Sequence, residues 1–303
     1  MWVLSPAFGR AAIMPDYRYR LVNVFADSVF GGNPLCVFED ARGMSREVMR
    51  DLALQFNLSE TTFVLDRTQP GVAEVCIMTP THEMAFAGHP SLGTAHVLRE
   101  LGQASDDTVV LSLPAGKVPV VAQGDVWTLV APSTGAPGLR RAGVSRADVA
   151  AFLGLSVEDL AGDPVWVDTG IEQCVVPLVS PEAVKRAAPR DCLQWEDSRD
   201  GRRVLYAFAF AGQQRAGREV VCARYFSARG AGVVEDPGTG SACANLGGWL
   251  QSQGREVAGG VLVEQGDLVR RPCRLFLDVD PQGGQIRVGG QVRTLGGGTI
   301  HLP

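Results

Sequence analysis

Two short stretches of the sequence repeat one pattern: Glu-Met-Ala-Phe-Ala-Gly-His at residues 83–89 and Glu-Asp-Pro-Gly-Thr-Gly-Ser at residues 235–241. Both stretches begin with a glutamate and reach a glycine five residues later, and they are 152 positions apart (83 to 235, 88 to 240). Each follows a run of β-forming residues and precedes a segment of small and apolar residues that favours a helix. A shift of about half the chain predicts two similar halves, because solenoid repeats have far shorter periods.

Chance recurrence of glycine-containing strand-to-helix turns is the alternative to a duplicated unit. Two further landmarks recur in the same order. Cys36-Val37-Phe38 matches Cys174-Val175-Val176 at a distance of 138 (36 to 174), and Ala-Gly at 115–116 matches Gln-Gly at 265–266 at a distance of 150 (115 to 265). The shared order favours duplication over chance.

The glycines Gly88 and Gly240 predict two helix N-termini that can bind an anion. The first N–H groups of a helix have no partner within it, and the helix dipole adds partial positive charge. Pro90 suits the first helical turn, and we expect Ser241 to cap the second helix. Two such ends at one cleft would hold a substrate carboxylate and stabilise the charge that develops when a neighbouring carbon loses its proton. The alternative is two ordinary capped helices.

Three ionisable side chains near these turns are candidates for proton transfer. His89 follows Gly88, Glu60 lies at the entry to the apolar strand predicted at residues 61–65, and Asp236 precedes the second turn. A carboxyl group beside apolar neighbours can have a raised pKa and serve as both acid and base. The alternatives are a solvated loop glutamate, a core or surface histidine and a turn aspartate.

Composition and motifs exclude several other classes of protein. The net charge of −5 and the lack of a Lys/Arg-rich run argue against nucleic-acid binding, and no apolar stretch is long enough for a membrane span. The seven scattered cysteines form no C-x-x-C pair, which fits a reducing cytoplasm rather than a disulfide framework or a zinc site. The histidines and cysteines form no zinc-site motif, and no complete phosphate or dinucleotide motif occurs, so we expect neither a metal nor a cofactor.

The chain divides best within the Pro- and Gly-rich segment at residues 131–143, which is the predicted linker. A strand is expected at residues 20–25, a turn at 31–34 and a second strand from 35 to 38. Ser45 is expected to cap a helix with Leu54 among its apolar positions. Residues 1–15 are interpreted as a loose extension.

Four motifs in this order closely resemble the PhzF family of phenazine-biosynthesis-like isomerases. They are Asn33-Pro34-Leu35, Asn57-Leu58-Ser59-Glu60-Thr61, Phe86-Ala87-Gly88-His89-Pro90 and the segment from Glu235 to Ala242. The resemblance implies an α+β, diaminopimelate-epimerase-like fold with two pseudo-symmetric halves, each a β-barrel-like sheet wrapped around a central helix. It also implies a cofactor-free homodimer similar to trans-2,3-dihydro-3-hydroxyanthranilate isomerase.

The resemblance assigns roles to individual residues. Glu60 matches the proton-shuttling glutamate, His89 and Asp236 match the active-site histidine and aspartate, and Gly88, Gly240 and Ser241 match the contacts to the substrate carboxylate. It further implies that the last strand, within residues 294–303, joins the N-terminal half (residues 16–132), while residues 133–293 form the C-terminal half.

Related racemases in this fold carry a catalytic cysteine before each glycine, whereas Ala87 and Thr239 stand at those positions here. Two-thiol racemisation is therefore not expected. The leading hypothesis is an isomerase that acts by general acid–base catalysis on a small carboxylated substrate. The alternatives are an amino-acid epimerase with a non-cysteine pair of bases and a non-catalytic small-molecule-binding or interaction protein on the same fold.

Overall fold

The computed structural model describes residues 16–302 except residues 68, 105–106, 133–135, 190, 192–194, 231 and 281–283. The predicted extension at residues 1–15 and part of the predicted linker lie outside the described residues.

The first half of the chain forms a closed barrel around one helix. Its strands are β1 (Asp16–Val24), β2 (Asn33–Phe38), β3 (Thr61–Asp66), β4 (Val72–Met78), β5 (Glu83–Met84), β6 (Thr108–Leu113), β7 (Gly116–Gln123) and β8 (Val126–Val130). Its helices are α1 (Arg46–Phe56) and α2 (Gly88–Glu100). The long last strand β17 (Ile286–His301) pairs with both β8 and β1 and closes the barrel of eight strands in the order β1-β2-β3-β4-β6-β7-β8-β17.

The second half repeats this plan as a curved sheet in the order β9-β10-β11-β12-β13-β15-β16-β17. Its strands are β9 (Gly138–Arg141), β10 (Val165–Asp168), β11 (Glu172–Pro177), β12 (Val204–Arg215), β13 (Arg218–Arg229), β14 (Gly232–Asp236), β15 (Val261–Gln265) and β16 (Cys273–Val279). Its helices are α3 (Arg146–Phe152), α4 (Pro181–Arg186) and α5 (Gly240–Ser252).

The connections of the two halves match element by element. In the first half, β2 and β3 are parallel across α1, and β4 and β6 are parallel across α2. In the second half, β11 and β12 are parallel across α4, and β13 and β15 are parallel across α5. The predicted fold class, two pseudo-symmetric α+β halves with a helix at the centre of each sheet, is confirmed. Duplication of one unit stays a prediction, as does the division at residue 133.

Strand β17 belongs to both sheets. Its first part pairs with β16 and β8, and the part from Val292 to His301 runs antiparallel to β1. The described part of the predicted returning segment therefore lies against the first strand of the chain. One continuous strand thus holds the two sheets together.

The central helices are small-residue helices because the surrounding strands approach them closely. All residues from His89 to Ala95 are buried. A Cβ at Gly93 would lie 2.6 Å from Leu35 Cδ2, and one at Gly247 would lie 2.8 Å from Ile286 Cγ2. Larger side chains would push the helices away from the sheets, which explains the composition of both segments.

The outer elements correct two details of the sequence interpretation. Ser45 caps α1 as predicted, but Leu54 is 57% exposed, and the buried face consists of Met49, Leu52 and Ala53. The predicted linker contains strand β9, which pairs with β10, so its Pro and Gly content does not make it wholly irregular. Within the described ranges, no helix is both long and apolar enough to cross a membrane.

Candidate active site

The N-termini of α2 and α5 meet at the boundary between the two halves. A Cβ on Gly88 would lie 3.6 Å from the Cα of Gly240 and 3.9 Å from the backbone N of Ser241. Neither helix has a side-chain cap, whereas Ser45, Ser145 and Ser180 cap the outer helices α1, α3 and α4. The two central helix ends therefore keep N–H groups that a bound anion can use.

Ser241 does not cap α5, so this prediction was wrong. Thr239 is the N-cap residue, but its hydroxyl donates to the carboxylate of Asp236 and accepts no hydrogen bond from the N–H groups of the helix. Ser241 lies inside the first turn, where its hydroxyl accepts a hydrogen bond of 2.8 Å from Gln173 Nε2. With its oxygen already accepting, Ser241 can donate its hydroxyl proton to a ligand.

Glu60 precedes β3 and is largely withdrawn from water. Its side chain is 16% exposed, and Oε2 is buried without a hydrogen-bond partner among the described residues. Burial, together with the smaller effect of the nearby charge of Asp236, raises the pKa of this carboxyl to about 8. Glu60 is therefore mostly protonated at neutral pH, with a minor ionised fraction available as a base.

His89 faces Glu60 as a neutral imidazole. Its Nε2 atom lies 3.5 Å from Glu60 Oε2, and its side chain is 7% exposed. Burial lowers the pKa of His89 to about 3, although a hydrogen bond to the backbone of Pro34 acts in the opposite direction. The bond to Pro34 orients the ring and leaves Nε2, which has no hydrogen-bond partner among the described residues, for a ligand.

Asp236, at the end of β14, is the third predicted side chain in this cluster. Its Oδ1 accepts a hydrogen bond of 3.0 Å from Asn33 Nδ2, and its Oδ2 accepts the hydroxyl of Thr239. Burial raises the pKa of Asp236 above its usual range, and these two hydrogen bonds counteract that rise. Glu60, His89 and Asp236 therefore lie together, although they come from both halves of the chain.

Sequence reasoning missed a set of buried amides that supports this cluster. Asn245 Nδ2 donates to Gln173 Oε1 at 2.8 Å, and Gln173 in turn donates to Ser241. Asn33 belongs to the Asn33-Pro34-Leu35 motif, but the sequence alone predicts no role for it. A polar amide inside an otherwise apolar run is the signal that could have identified Asn245, whereas Gln173 follows the charged Glu172 and gives no such signal.

A mostly apolar pocket also opens at the two helix ends. Its lining includes Gly88, Gly240 and Ser241 together with Phe25 and Ile171, but it does not include Glu60, His89 or Asp236. Such a pocket can accept the hydrocarbon part of a small ligand.

The described residues contain no group of three or more His, Cys, Asp or Glu side chains that could hold a metal ion. The expectation of chemistry without a metal or cofactor stays a prediction. All of the described cysteines are free thiols, and the N-cap positions of α2 and α5 are occupied by Ala87 and Thr239.

Several known proteins are similar to this chain over most of its length. An uncharacterised isomerase of Pasteurella multocida is 36% identical over 302 residues, which cover 96% of each chain. The trans-2,3-dihydro-3-hydroxyanthranilate isomerase of Pseudomonas aeruginosa is 34% identical, over 89% of this chain and 93% of that protein. The predicted enzyme class, isomerase, is confirmed by these relatives.

A solved structure has the same fold as this chain. The phenazine biosynthesis protein of the PhzF family from Bacillus anthracis superposes with a TM-score of 0.80 at 22% identity, over 95% of this chain and all of that one. The model of the phenazine biosynthesis-like family matches residues 22–298, which is nearly the whole described chain. The chain belongs to the phenazine biosynthesis-like (PhzC-PhzF) family.

Proposed function

We propose that this protein is a cofactor-independent isomerase that moves a proton on a small carboxylated substrate by general acid–base catalysis. The reaction would be similar to that of the trans-2,3-dihydro-3-hydroxyanthranilate isomerase to which the chain is related. One observation carries the proposal: the desolvated carboxyl of Glu60, with its pKa at about 8, lies next to His89 at the end of a central helix. Such a group can both accept and return a proton near neutral pH.

The substrate carboxylate would bind at the facing ends of α2 and α5. The uncapped N–H groups at Gly88 and Gly240 and the hydroxyl of Ser241 provide donors, and both helix dipoles favour a negative charge there. The apolar pocket at the same ends would take the hydrocarbon part of the molecule.

The proton transfer would use Glu60 twice. Its ionised form removes a proton from one carbon of the substrate, and the resulting acid returns a proton to another carbon, so that a double bond migrates. Neutral His89 and the Asp236 carboxyl would orient the substrate through hydrogen bonds. The helix ends would stabilise the negative charge that the substrate gains after proton removal.

Two other hypotheses fit these residues less well. A protein that only binds its ligand gains nothing from a buried carboxyl without a partner, since such a group costs stability. An epimerase needs a base on each face of one stereocentre, and Ala87 and Thr239 cannot serve as these bases. Exchange of solvent deuterium into the substrate tests whether the protein is instead an epimerase with two bases other than cysteine.

The test is turnover of trans-2,3-dihydro-3-hydroxyanthranilate, measured by absorbance, for wild type and Glu60→Gln. Glu39→Gln is the matched control, because Glu39 is also a buried glutamate of the first half but pairs with Arg20 away from the site. We expect turnover by wild type and control and a loss of about 10²-fold or more in Glu60→Gln. Equal rates for Glu60→Gln and wild type would contradict the role of Glu60.

Solvent deuterium distinguishes the two kinds of isomerase. Migration of a double bond places deuterium on a new carbon, whereas an epimerase exchanges the hydrogen at one stereocentre. Deuterium at the original stereocentre alone would replace the present proposal by the non-cysteine epimerase.

The oligomeric state and the cellular compartment of the protein are also proposals. We infer a homodimer in a reducing cytoplasm, the latter supported by the free thiols of the described cysteines. The matching topology of the halves supports their origin by duplication. Sedimentation at several concentrations would give the oligomeric state directly.

A further inference from the structure

Asn33 links the two halves of the chain at the candidate site. It is fully buried at the start of β2, and its Nδ2 atom donates to Asp236 Oδ1 and to the carbonyl oxygen of Gly238, each at 3.0 Å. These acceptors lie 203 and 205 positions further along the chain. One amide group of the first half thus holds both ends of the turn that leads into α5.

The orientation of this amide follows from its neighbours. If the group were turned around, Oδ1 would face a carboxylate and a carbonyl, both of which only accept hydrogen bonds when Asp236 is ionised. With Nδ2 on this side, Oδ1 is buried and lacks a partner within the described part of the chain. A buried amide whose oxygen has no partner costs stability, so an apolar residue at this position would serve the fold alone better.

Pro34, the residue after Asn33, contacts His89. The backbone of Pro34 holds the imidazole of His89 by a hydrogen bond. The remaining contacts to the Asp236 turn come from the second half itself: Thr239 donates to Oδ2, and Gln265 Nε2 donates to the Asp236 backbone oxygen at 2.9 Å. Asn33 therefore supplies the contact that ties the Asp236 carboxyl to the half that carries Glu60 and His89.

We propose that Asn33 is a positioning residue, whose amide holds the Asp236 carboxyl in place beside Glu60 and His89. This inference rests on the proposed function for its catalytic consequence, but the position and charge of Asp236 can be measured without a substrate.

The protonation of Asp236 reports the contact. Within the described part of the chain, the titratable groups that interact with it are Glu60 ahead of β3, Tyr225 on β13, Cys273 on β16 and Glu235 on its own strand, while the imidazole of His89 in the same cluster is neutral. None of these is a cation, so hydrogen bonds carry the stabilisation of the ionised carboxylate. Removal of the Asn33 donor raises the pKa of Asp236 because it destabilises the charged form alone.

The experiment compares Asn33→Leu with Asn23→Leu. Leucine has nearly the shape of asparagine without its donor. Asn23 is the matched control because it is also fully buried and also joins the two halves, through a 2.6 Å hydrogen bond from Arg271, yet it makes no hydrogen bond to Asp236. The titration of the Asp236 carboxyl is followed by carbon-13 NMR in ligand-free protein, with Asp236→Asn to assign its signal.

We expect the Asp236 pKa to rise by about one pH unit or more in Asn33→Leu and to stay unchanged in Asn23→Leu. We also expect kcat/KM to fall about tenfold or more in Asn33→Leu alone, with most of the loss in kcat. An unchanged Asp236 titration in Asn33→Leu overturns the inference, and so does an equal shift in both variants. If wild type isomerises none of the tested substrates, the proposed function fails, but the titration still decides the role of Asn33.

Discussion

Gly88 and Gly240 start two helices that point their N-termini at each other, with the Gly240 Cα only 3.6 Å from where a Cβ of Gly88 would be. Each helix end carries about half a positive charge, so this arrangement is repulsive unless an anion lies at the junction. The three outer helices have serine caps, while these two have none. This contrast supports the proposed binding of the substrate carboxylate at the junction.

Gly88→Ala should weaken substrate binding without unfolding the protein. The new methyl group would be at ordinary contact distance from Gly240 and 3.9 Å from the N–H of Ser241, where it would obstruct a carboxylate. We expect a loss of about tenfold or more in affinity for a carboxylate inhibitor, measured by calorimetry, and a change in unfolding free energy within about 1 kcal/mol.

Gly93→Ala is the control in the same helix. Its Cβ would lie 2.6 Å from Leu35 Cδ2, so we expect a destabilisation of about 1–3 kcal/mol without a specific loss of affinity. If Gly88→Ala binds the inhibitor as well as wild type does, the carboxylate does not lie between the helix ends.

The pH profile of kcat/KM should rise with pH and level off above about 8. In the proposed mechanism Glu60 must be ionised to remove the first proton, and burial raises its pKa in the ligand-free protein to about 8. Asp236, His89 and Tyr225 are its titratable neighbours among the described residues, and of their charges only that of Asp236 contributes to the raised pKa of Glu60. Asp236→Asn should therefore move the rising limb to lower pH, even as it reduces the maximal rate. A limb that stays in place would show that Asp236 does not act on Glu60.

Glu60 should also cost stability as the pH increases. Its pKa is raised in the folded protein, so the folded state keeps a proton that the unfolded chain loses above pH 4.5. The contribution of Glu60 to the unfolding free energy is therefore fully present below pH 4.5 and is lost between pH 4.5 and about 8. Glu60→Gln removes this dependence, and we expect its unfolding free energy to fall less than that of wild type over this window, by on the order of 3 kcal/mol.

Denaturant unfolding at pH 5 and pH 8 measures this difference. His89 acts in the opposite direction, since its lowered pKa makes stability rise with pH between about 3 and 6.5. Both proteins share that contribution, so it cancels in the comparison. Parallel curves for wild type and Glu60→Gln would mean that Glu60 is solvated in solution.

The sequence was sufficient for features that depend on local pattern. The repeat of Gly88 at Gly240 predicted two helix starts in two similar halves, and the apolar strand after Glu60 predicted a desolvated carboxyl. These predictions succeeded in placing the elements because a glycine turn and an apolar run act on their immediate neighbours.

Reasoning from local sequence failed for side chains whose hydrogen-bond partners lie far away along the chain. Thr239 and Ser241 both carry a hydroxyl near the start of α5, and the local sequence cannot show that neither of them caps the helix. This outcome depends on Asp236 and on Gln173, which is 68 positions away from Ser241 and comes beside it only through the sheet. The contact of Asn33 with Asp236 across 203 positions was hidden for the same reason.

His89 should remain neutral well below the pH at which histidine usually titrates. Burial lowers its pKa to about 3, and the bond to Pro34 fixes which ring nitrogen carries the proton. Nitrogen-15 NMR of the labelled imidazole, assigned by comparison with His89→Gln, should show one neutral tautomer from pH 8 to pH 5. A neutral ring offers Nε2 as an acceptor to a substrate N–H or O–H group, whereas an imidazolium could only donate. A transition near pH 6.5 would instead give Glu60 a cationic neighbour, and its carboxyl would then ionise below pH 8.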